Sequence, residues 1–284
     1  MSSQKSLREI FMAERLRVSF LGPEATFTHE AAIRHFGDEA EFIPSATIAA
    51  IFDDTEAGRS DMGVVPVENA LEGTVNITLD RLIDSPLIVT GGVSLPIDIH
   101  LLTNAGELGN IQRVLSHPHA VAQCRRWLQE NLPGVALEEV ASTSLAAKMA
   151  GKNPELAALG SALAAKKYGL EIAVAKIDTE SINVTRFFVL GKEPAPRAGR
   201  SGTSLLFVLK NKPGALYNAL APIAKCDLNM TKIESRPSRR KAWDYIFFMD
   251  LEGHAEDENL AGAIAELKEN VMFFRLLGSY PVVG

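Results

Sequence analysis

From residue 203 to residue 282 the apolar pattern switches between a period of two and a period near 3.6 in a fixed order, and no other feature narrows the fold of this chain so far. Residues 203–210 are a β-rich apolar run, Asn211-Lys212-Pro213-Gly214 is turn chemistry, and Leu216, Leu220 and Ile223 recur at helical spacing. Residues 229–235 and 243–251 read as strands, the second carrying Trp243, Tyr245, Phe247, Met249 and Leu251 on one face. Leu260, Ile264 and Leu267 mark a second amphipathic helix, and residues 272–277 a last strand. The order is βαββαβ, a small α+β unit. Pro213-Gly214 lets a turn open a helix whose free N–H groups can hold a carboxylate, and Glu234 can accept from an ammonium. Either segment alone reads equally well as a plain turn or as an exposed Glu234 and Arg236 pair; together, inside this topology, they favour a site for an α-amino acid.

A chain of 284 residues exceeds the usual single-domain size. Residues 193–202, with Pro194 and Pro196 leading into Arg197-Ala198-Gly199-Arg200-Ser201-Gly202, are the natural linker between a larger N-terminal region and the C-terminal unit. The net charge of −6 and the absence of a long basic patch interleaved with aromatics argue against a nucleic-acid partner. The short Arg239-Arg240-Lys241 cluster reads as a solvated turn. No stretch is apolar enough to span a bilayer, and the N-terminus lacks a signal-peptide core, so the expected location is cytoplasmic. Cys124 and Cys226 fall in different predicted domains and read as reduced buried thiols. The histidines form no close cluster with metal-ligand spacing, and neither a metal nor a cofactor is expected.

The N-terminal region alternates strands and helices. Residues 17–21, 41–43, 62–67, 87–93, 98–102, 113–115 and 157–159 read as short strands, with Ala31, Ile33 and Phe36 on an early helix. This is an α/β pattern, in which ligands gather at the carboxyl ends of strands. Polar clusters fall at those places. Thr26, after Gly22, suits either an anion or a helix cap. Glu68 and Asn69 lie side by side at a strand end. Ser116-His117-Pro118-His119 opens a helix on which Gln123 lies one turn beyond His119, and Ser142-Thr143 caps another. Asn183-Val184-Thr185-Arg186-Phe187 starts a hydrophobic strand, where a buried arginine needs an anionic partner.

Taken in order, Gly22-Pro23-Glu24-Ala25-Thr26-Phe27, Val65-Pro66-Val67-Glu68-Asn69, Ser116-His117-Pro118, Ala122-Gln123-Cys124, Ser142-Thr143 and Asn183-Val184-Thr185-Arg186-Phe187 resemble prephenate dehydratase. The C-terminal unit, of ferredoxin-like topology, resembles an ACT domain, with Gly214, Ala215, Leu216, Asn229, Glu234, Ser235, Arg236 and Pro237 as the implied L-phenylalanine effector residues. The resemblance implies an N-terminal extension over 1–16 and a catalytic domain over 17–192. That domain would be α/β and two-lobed like a type II periplasmic binding protein, with lobe one over 17–94 and 178–190 and lobe two over 95–177, followed by an ACT domain over 203–282. The 16 residues before the first strand are expected to form at most one short helix, too little for a fused chorismate mutase. Ala25 departs from the family's usual Gly, Ala70 from a common Ser, and His119 from a frequent Gln.

The implied reaction converts prephenate to phenylpyruvate, carbon dioxide and water. Thr185, Asn69, Ser116, Gln123 and Glu68 are the implied catalytic residues, with Thr185 donating to the departing ring hydroxyl and Glu68 a candidate acid behind it. Thr26, Thr143, Arg186, Phe187 and Asn183 are the implied substrate contacts, with Arg186, Ser116 or a helix N-terminus on the side-chain carboxylate. A homodimer or dimer of dimers, feedback-inhibited by L-phenylalanine, is expected. Arogenate dehydratase, and more remotely a non-catalytic two-lobed sensor, are the competing readings.

Overall fold

The computed structural model describes residues 15–177, 183–197, 199–237 and 245–283. Trp243, Arg239-Arg240-Lys241, residues 1–14 and residues 178–182 of the expected first lobe lie outside the described residues.

In the first lobe, β1 (Arg17–Leu21) runs parallel to β2 (Glu41–Ser45) and β3 (Met62–Asn69). The crossovers are α1 (Phe27–Phe36) and α2 (Ile48–Glu56), each started by a threonine, Thr26 or Thr47, whose hydroxyl accepts from a first-turn amide. A two-residue strand β4 (Gly73–Thr74) folds back on β3, and α3 (Asn76–Asp84) leads to β5 (Ile88–Pro96). The chain then builds the second lobe. Its elements are β6 (His100–Thr103), β7 (Arg113–Ser116), α4 (Pro118–Asn131), β8 (Ala136–Glu139), α5 (Thr143–Ala150), β9 (Leu156–Gly160), α6 (Ala162–Tyr168) and β10 (Glu171–Val174). Their sheet has the order β10-β6-β9-β7-β8. The two edge strands, β8 and β10, were not foreseen: Ala136-Leu137-Glu138-Glu139 and Glu171-Ile172-Ala173-Val174 are mostly exposed and carry little apolar alternation to read. The chain returns through β11 (Val184–Gly191), inserted antiparallel between β3 and β5.

The C-terminal unit follows the expected order: β12 (Ser201–Val208), α7 (Ala215–Lys225), β13 (Met230–Pro237), β14 (Tyr245–Glu252), α8 (Glu258–Asn270) and β15 (Phe273–Val283). Its sheet order is β13-β14-β12-β15. β15 runs well past residue 277. At Gly278 (φ +155°) an added Cβ would sit 2.1 Å from the Val89 carbonyl oxygen, so only glycine lets the strand pass there. Beyond it, Val282 and Val283 pair in parallel with Gly92 and Val93 of β5. The C-terminal strands and the first lobe therefore share one ten-stranded sheet.

This explains a departure from the expected pattern of β14. Met249 and Leu251 pack under α7 and α8, but Ile246 and Phe248 are buried as well, in a core with Leu206, Val65, Phe188 and Leu190. A sheet covered on both faces has no polar side to alternate with.

Candidate active site

A cleft of about 290 Å³ opens between the lobes. β3 and β11 form its floor, with Thr185 opposite Asn69 in their register. Side chains on a strand point alternately to opposite faces, so Asn69, Thr185 and Phe187 reach the cleft while Glu68 and Arg186 cannot. Asn183, just before β11, joins them from one side, and Gln123 of α4, Thr143 of α5 and Thr28 of α1 line the walls.

The hydrogen bonds fix the direction of every amide. The backbone N–H groups of Leu71 and Glu72 donate to Asn69 Oδ1 at 2.9 and 3.1 Å. Asn69 Nδ2 must then face the cleft floor, where it donates to Thr185 Oγ1 and Asn183 Oδ1, each at 2.8 Å. Asn183 Nδ2 in turn donates to Gln123 Oε1 at 3.0 Å. Because the Thr185 oxygen already accepts, its own proton is left to donate, and the same relay frees Gln123 Nε2. Thr185 is 8% exposed, enough to touch a bound molecule while excluding bulk water.

The lining residues include no lysine or arginine. Positive potential comes instead from helix N-termini: α4 begins at Pro118, α5 at Thr143 and α1 at Phe27. His117 and His119 are the lining residues able to carry positive charge. Burial, and then neighbouring His119, lowers the pKa of His117. At the mouth, His119 Nδ1 from lobe two contacts Glu72 Oε1 from lobe one.

Several expected site residues lie elsewhere. The Thr26 hydroxyl donates to the Leu21 carbonyl at 2.8 Å and accepts from the His29 amide, the cap reading; Thr28, two residues on, faces the cleft instead. Ser116 is fully buried and donates to the Leu159 carbonyl at 3.0 Å, tying β7 to β9. Arg186 and Glu68 face the C-terminal domain: Arg186 donates to Asp250 at 2.9 Å and to Glu68 at 3.2 Å. Burial pushes the Asp250 carboxyl above its usual range against the opposing pull of Arg186 and the Ser204 hydroxyl. Glu72 and His117, like Thr28, were missed; a strand-end or helix-start position was their available signal.

The three family departures are also placed. Ala25 adopts φ +62°, the conformation for which a glycine is the easier residue, and its N–H donates to His29 Nδ1 at 3.0 Å. Ala70 is exposed, with its N–H donating to the Val184 carbonyl at 2.9 Å. His119 makes the contact with Glu72 described above.

The expected effector residues divide between two faces. Gly214 (φ +75°) precedes α7 without a side-chain cap, and Ala215 and Leu216 border a hollow shared with Tyr245 and Phe247. Ser235 and Pro237 pair with Phe247 and Tyr245 and so sit at that end of the sheet. Glu234 and Arg236 point the other way, to the first lobe: Thr74 donates to Glu234 at 2.9 Å, and Arg236 donates to Asp80 at 2.7 Å and to Asn76. Asn229 precedes the opposite end of β13, where its carbonyl accepts from the Glu252 amide at 3.0 Å.

Residues 18–195 match the family model for prephenate dehydratase, and residues 203–269 that for the ACT domain. This chain belongs to the prephenate dehydratase family. It is 46% identical to the bifunctional chorismate mutase/prephenate dehydratase of Aquifex aeolicus over 96% of this chain and 77% of the relative. The crystal structure of prephenate dehydratase from Arthrobacter aurescens in complex with L-Phe is similar at 34% identity and a TM-score of 0.83, covering 93% of this chain and 89% of that one. The structure of GqqA, described as a novel type of quorum quenching acylase, is similar at 31% identity and a TM-score of 0.84, covering 94% and 97%. The prephenate dehydratase fold thus carries more than one named activity, and the side chains in the cleft must decide the substrate.

Proposed function

We propose that this cleft performs the prephenate dehydratase reaction, with Thr185 as the donor to the departing ring hydroxyl. The observation that carries the reading is the one-way relay from Leu71 and Glu72 through Asn69, which leaves the Thr185 proton as the unspent donor of the cleft floor. Prephenate loses its ring carboxylate as carbon dioxide and its ring hydroxyl as water, and aromatisation drives both steps. The step that needs help is loss of hydroxide, and a positioned proton donor is worth about 10²–10⁴-fold there. A threonine hydroxyl is too weak an acid to ionise first, so the transfer is concerted with C–O cleavage. Glu68 has no part in the transfer, being on the far side of the sheet.

The absence of lysine and arginine among the lining residues suits this chemistry. A cation on the ring carboxylate would stabilise the ground state and vanish from the balance as neutral carbon dioxide forms. Neutral donors such as Gln123 Nε2 and the Thr143 region serve that end. The pyruvyl carboxylate survives the reaction and is held by a helix N-terminus, the one of the three expected holders that faces the cleft.

L-Phenylalanine binds the C-terminal domain near Gly214, Ala215 and Leu216 and lowers activity. β13 is a sheet edge, and the C-terminal domain leaves Tyr217 78% exposed, Tyr245 40% and Ile233 37%; this edge and these apolar groups pair two copies into a dimer, which can pair again. The described residues include no helix long and apolar enough to cross a membrane.

The test is product analysis with prephenate and arogenate in parallel for wild type and Thr185→Ala, each with and without L-phenylalanine. Faster phenylpyruvate formation from prephenate, lost in Thr185→Ala and reduced by L-phenylalanine, is the expected result. Preference for arogenate would change the substrate; turnover of neither by folded protein would overturn the enzyme reading.

A further inference from the structure

Asn69 and Thr185 make the hydrogen bond on which the cleft depends, and the residue beside each on its strand is charged and points to the opposite face. Glu68 and Arg186 are partners in the same β3–β11 register and meet each other at 3.2 Å. Both are then gripped by the C-terminal domain. Asp250 of β14, 8% exposed at the side chain, accepts from Arg186 at 2.9 Å and from the Ser204 hydroxyl at 2.5 Å. Lys232 of β13, 6% exposed, donates to Glu68 at 2.7 Å and to Thr74 at 2.9 Å. Thr74 ends the loop whose Leu71 and Glu72 amides orient Asn69.

We infer that Lys232 and Asp250, residues of the C-terminal domain, are positioning residues for the reaction in the cleft, acting through Glu68 and Arg186 on the register of Asn69 with Thr185. Neither touches the cleft. Each adds a second counter-ion to one member of the Glu68–Arg186 pair: Lys232 fixes the β3 side and its following loop, and Asp250 fixes the β11 side. A displacement of one strand against the other by a fraction of a residue lengthens the Asn69–Thr185 contact, and misplacement of a reacting group by about 1 Å can cost on the order of a hundredfold in rate. The catalytic pair is therefore completed by a domain that contributes no atom to the cleft. β14 carries Asp250 on this face and Tyr245 and Phe247 at the hollow by α7, so one strand borders both.

This inference rests on the reading of Thr185 given above, and the experiment separates the two. Steady-state kinetics with prephenate are measured on the full chain for wild type, Thr185→Ala, Asp250→Asn, Lys232→Met, Lys232→Arg and Lys225→Met, the last removing a surface pair with Glu266 as a control. Rates are expressed per folded protein from urea denaturation of each variant. The expected result is a fall in kcat of about tenfold or more in Asp250→Asn and Lys232→Met, with KM within about twofold, partial recovery in Lys232→Arg and no change in Lys225→Met. Unchanged kcat per folded molecule in Lys232→Met, with Thr185→Ala inactive, overturns the inference alone. A rise in KM at constant kcat overturns it as well. Retained kcat in Thr185→Ala overturns the cleft reading and this inference with it. Should Asp250→Asn not fold, Lys232→Met decides, because methionine keeps the length of the chain it replaces.

Discussion

The two faces of the β3–β11 pair are built from adjacent residues and could hardly differ more. On the cleft face stand Asn69, Thr185 and Asn183, neutral groups joined by hydrogen bonds of 2.8 Å. On the other stand Glu68 and Arg186, enclosed by Asp250 and Lys232. The comparison teaches where charge is useful. A reaction that turns a carboxylate into carbon dioxide gains little from a fixed cation beside it, whereas two domains that must keep one register gain from ion pairs whose geometry is exacting. One sheet, two residues thick in its logic, separates the two demands.

The sharpest way to break this comparison is to put charge on the neutral face. Asn69→Asp keeps an acceptor for the Leu71 and Glu72 amides but cannot donate to Thr185, and kcat should fall by about 10²–10³-fold. An active Asn69→Asp enzyme would sink the relay. Removing charge from the other face should do less: Glu68→Gln is expected to lower kcat on the order of tenfold while leaving the shape of the pH–rate profile unchanged. Loss of one limb of that profile would return Glu68 to the role of acid. Ser116→Ala tests a residue belonging to neither face; stability should fall by about 1 kcal/mol in urea titration, with kcat per folded molecule unaltered.

Two half-buried histidines that belong to neither face add a pH dependence of stability. Burial lowers the pKa of His29, which stacks on Phe20 at 4.3 Å and accepts from the Ala25 amide, and burial also lowers that of His35. The folded state then binds fewer protons than the unfolded state, whose histidines titrate near 6.5. Their contribution is fully present above that value and is lost as pH falls through the folded pKa values. Urea midpoints should decline from pH 7 toward pH 5; a midpoint rising over that range would contradict the assignment. Ala25→Gly should change least, within about 0.5 kcal/mol, because relief of a positive φ is offset by glycine's added freedom in the unfolded chain.

Much of this was legible in the residues. The βαββαβ order and the strand at 184–191 follow from periodicity, and the gathering of Asn69, Gln123, Thr143, Asn183 and Thr185 was implied by the family resemblance. The placement of Arg186 was legible too, though read wrongly: Thr185 and Arg186 are neighbours on a strand and cannot share a face. The same alternation separates Glu234 from Ser235, and Glu68 from Asn69. Other features were beyond a local reading. Nothing near Asp250 or Lys232 in sequence names their partners, which arrive from 64 and 164 residues away. The second buried face of β14 likewise depends on a lobe that the strand itself does not encode.

The joining of β15 to β5 through Val282 and Val283 has a consequence for how such a chain can be divided. A regulatory module hung on a tether can be exchanged by cutting the tether. Here the last turn of the chain seals a strand edge of the catalytic lobe, so a recipient lacking it keeps an open row of amides and carbonyls on β5, available to any other strand in solution. Grafting this domain onto another lobe means transplanting its final residues together with the groove beside Gly278 that admits them.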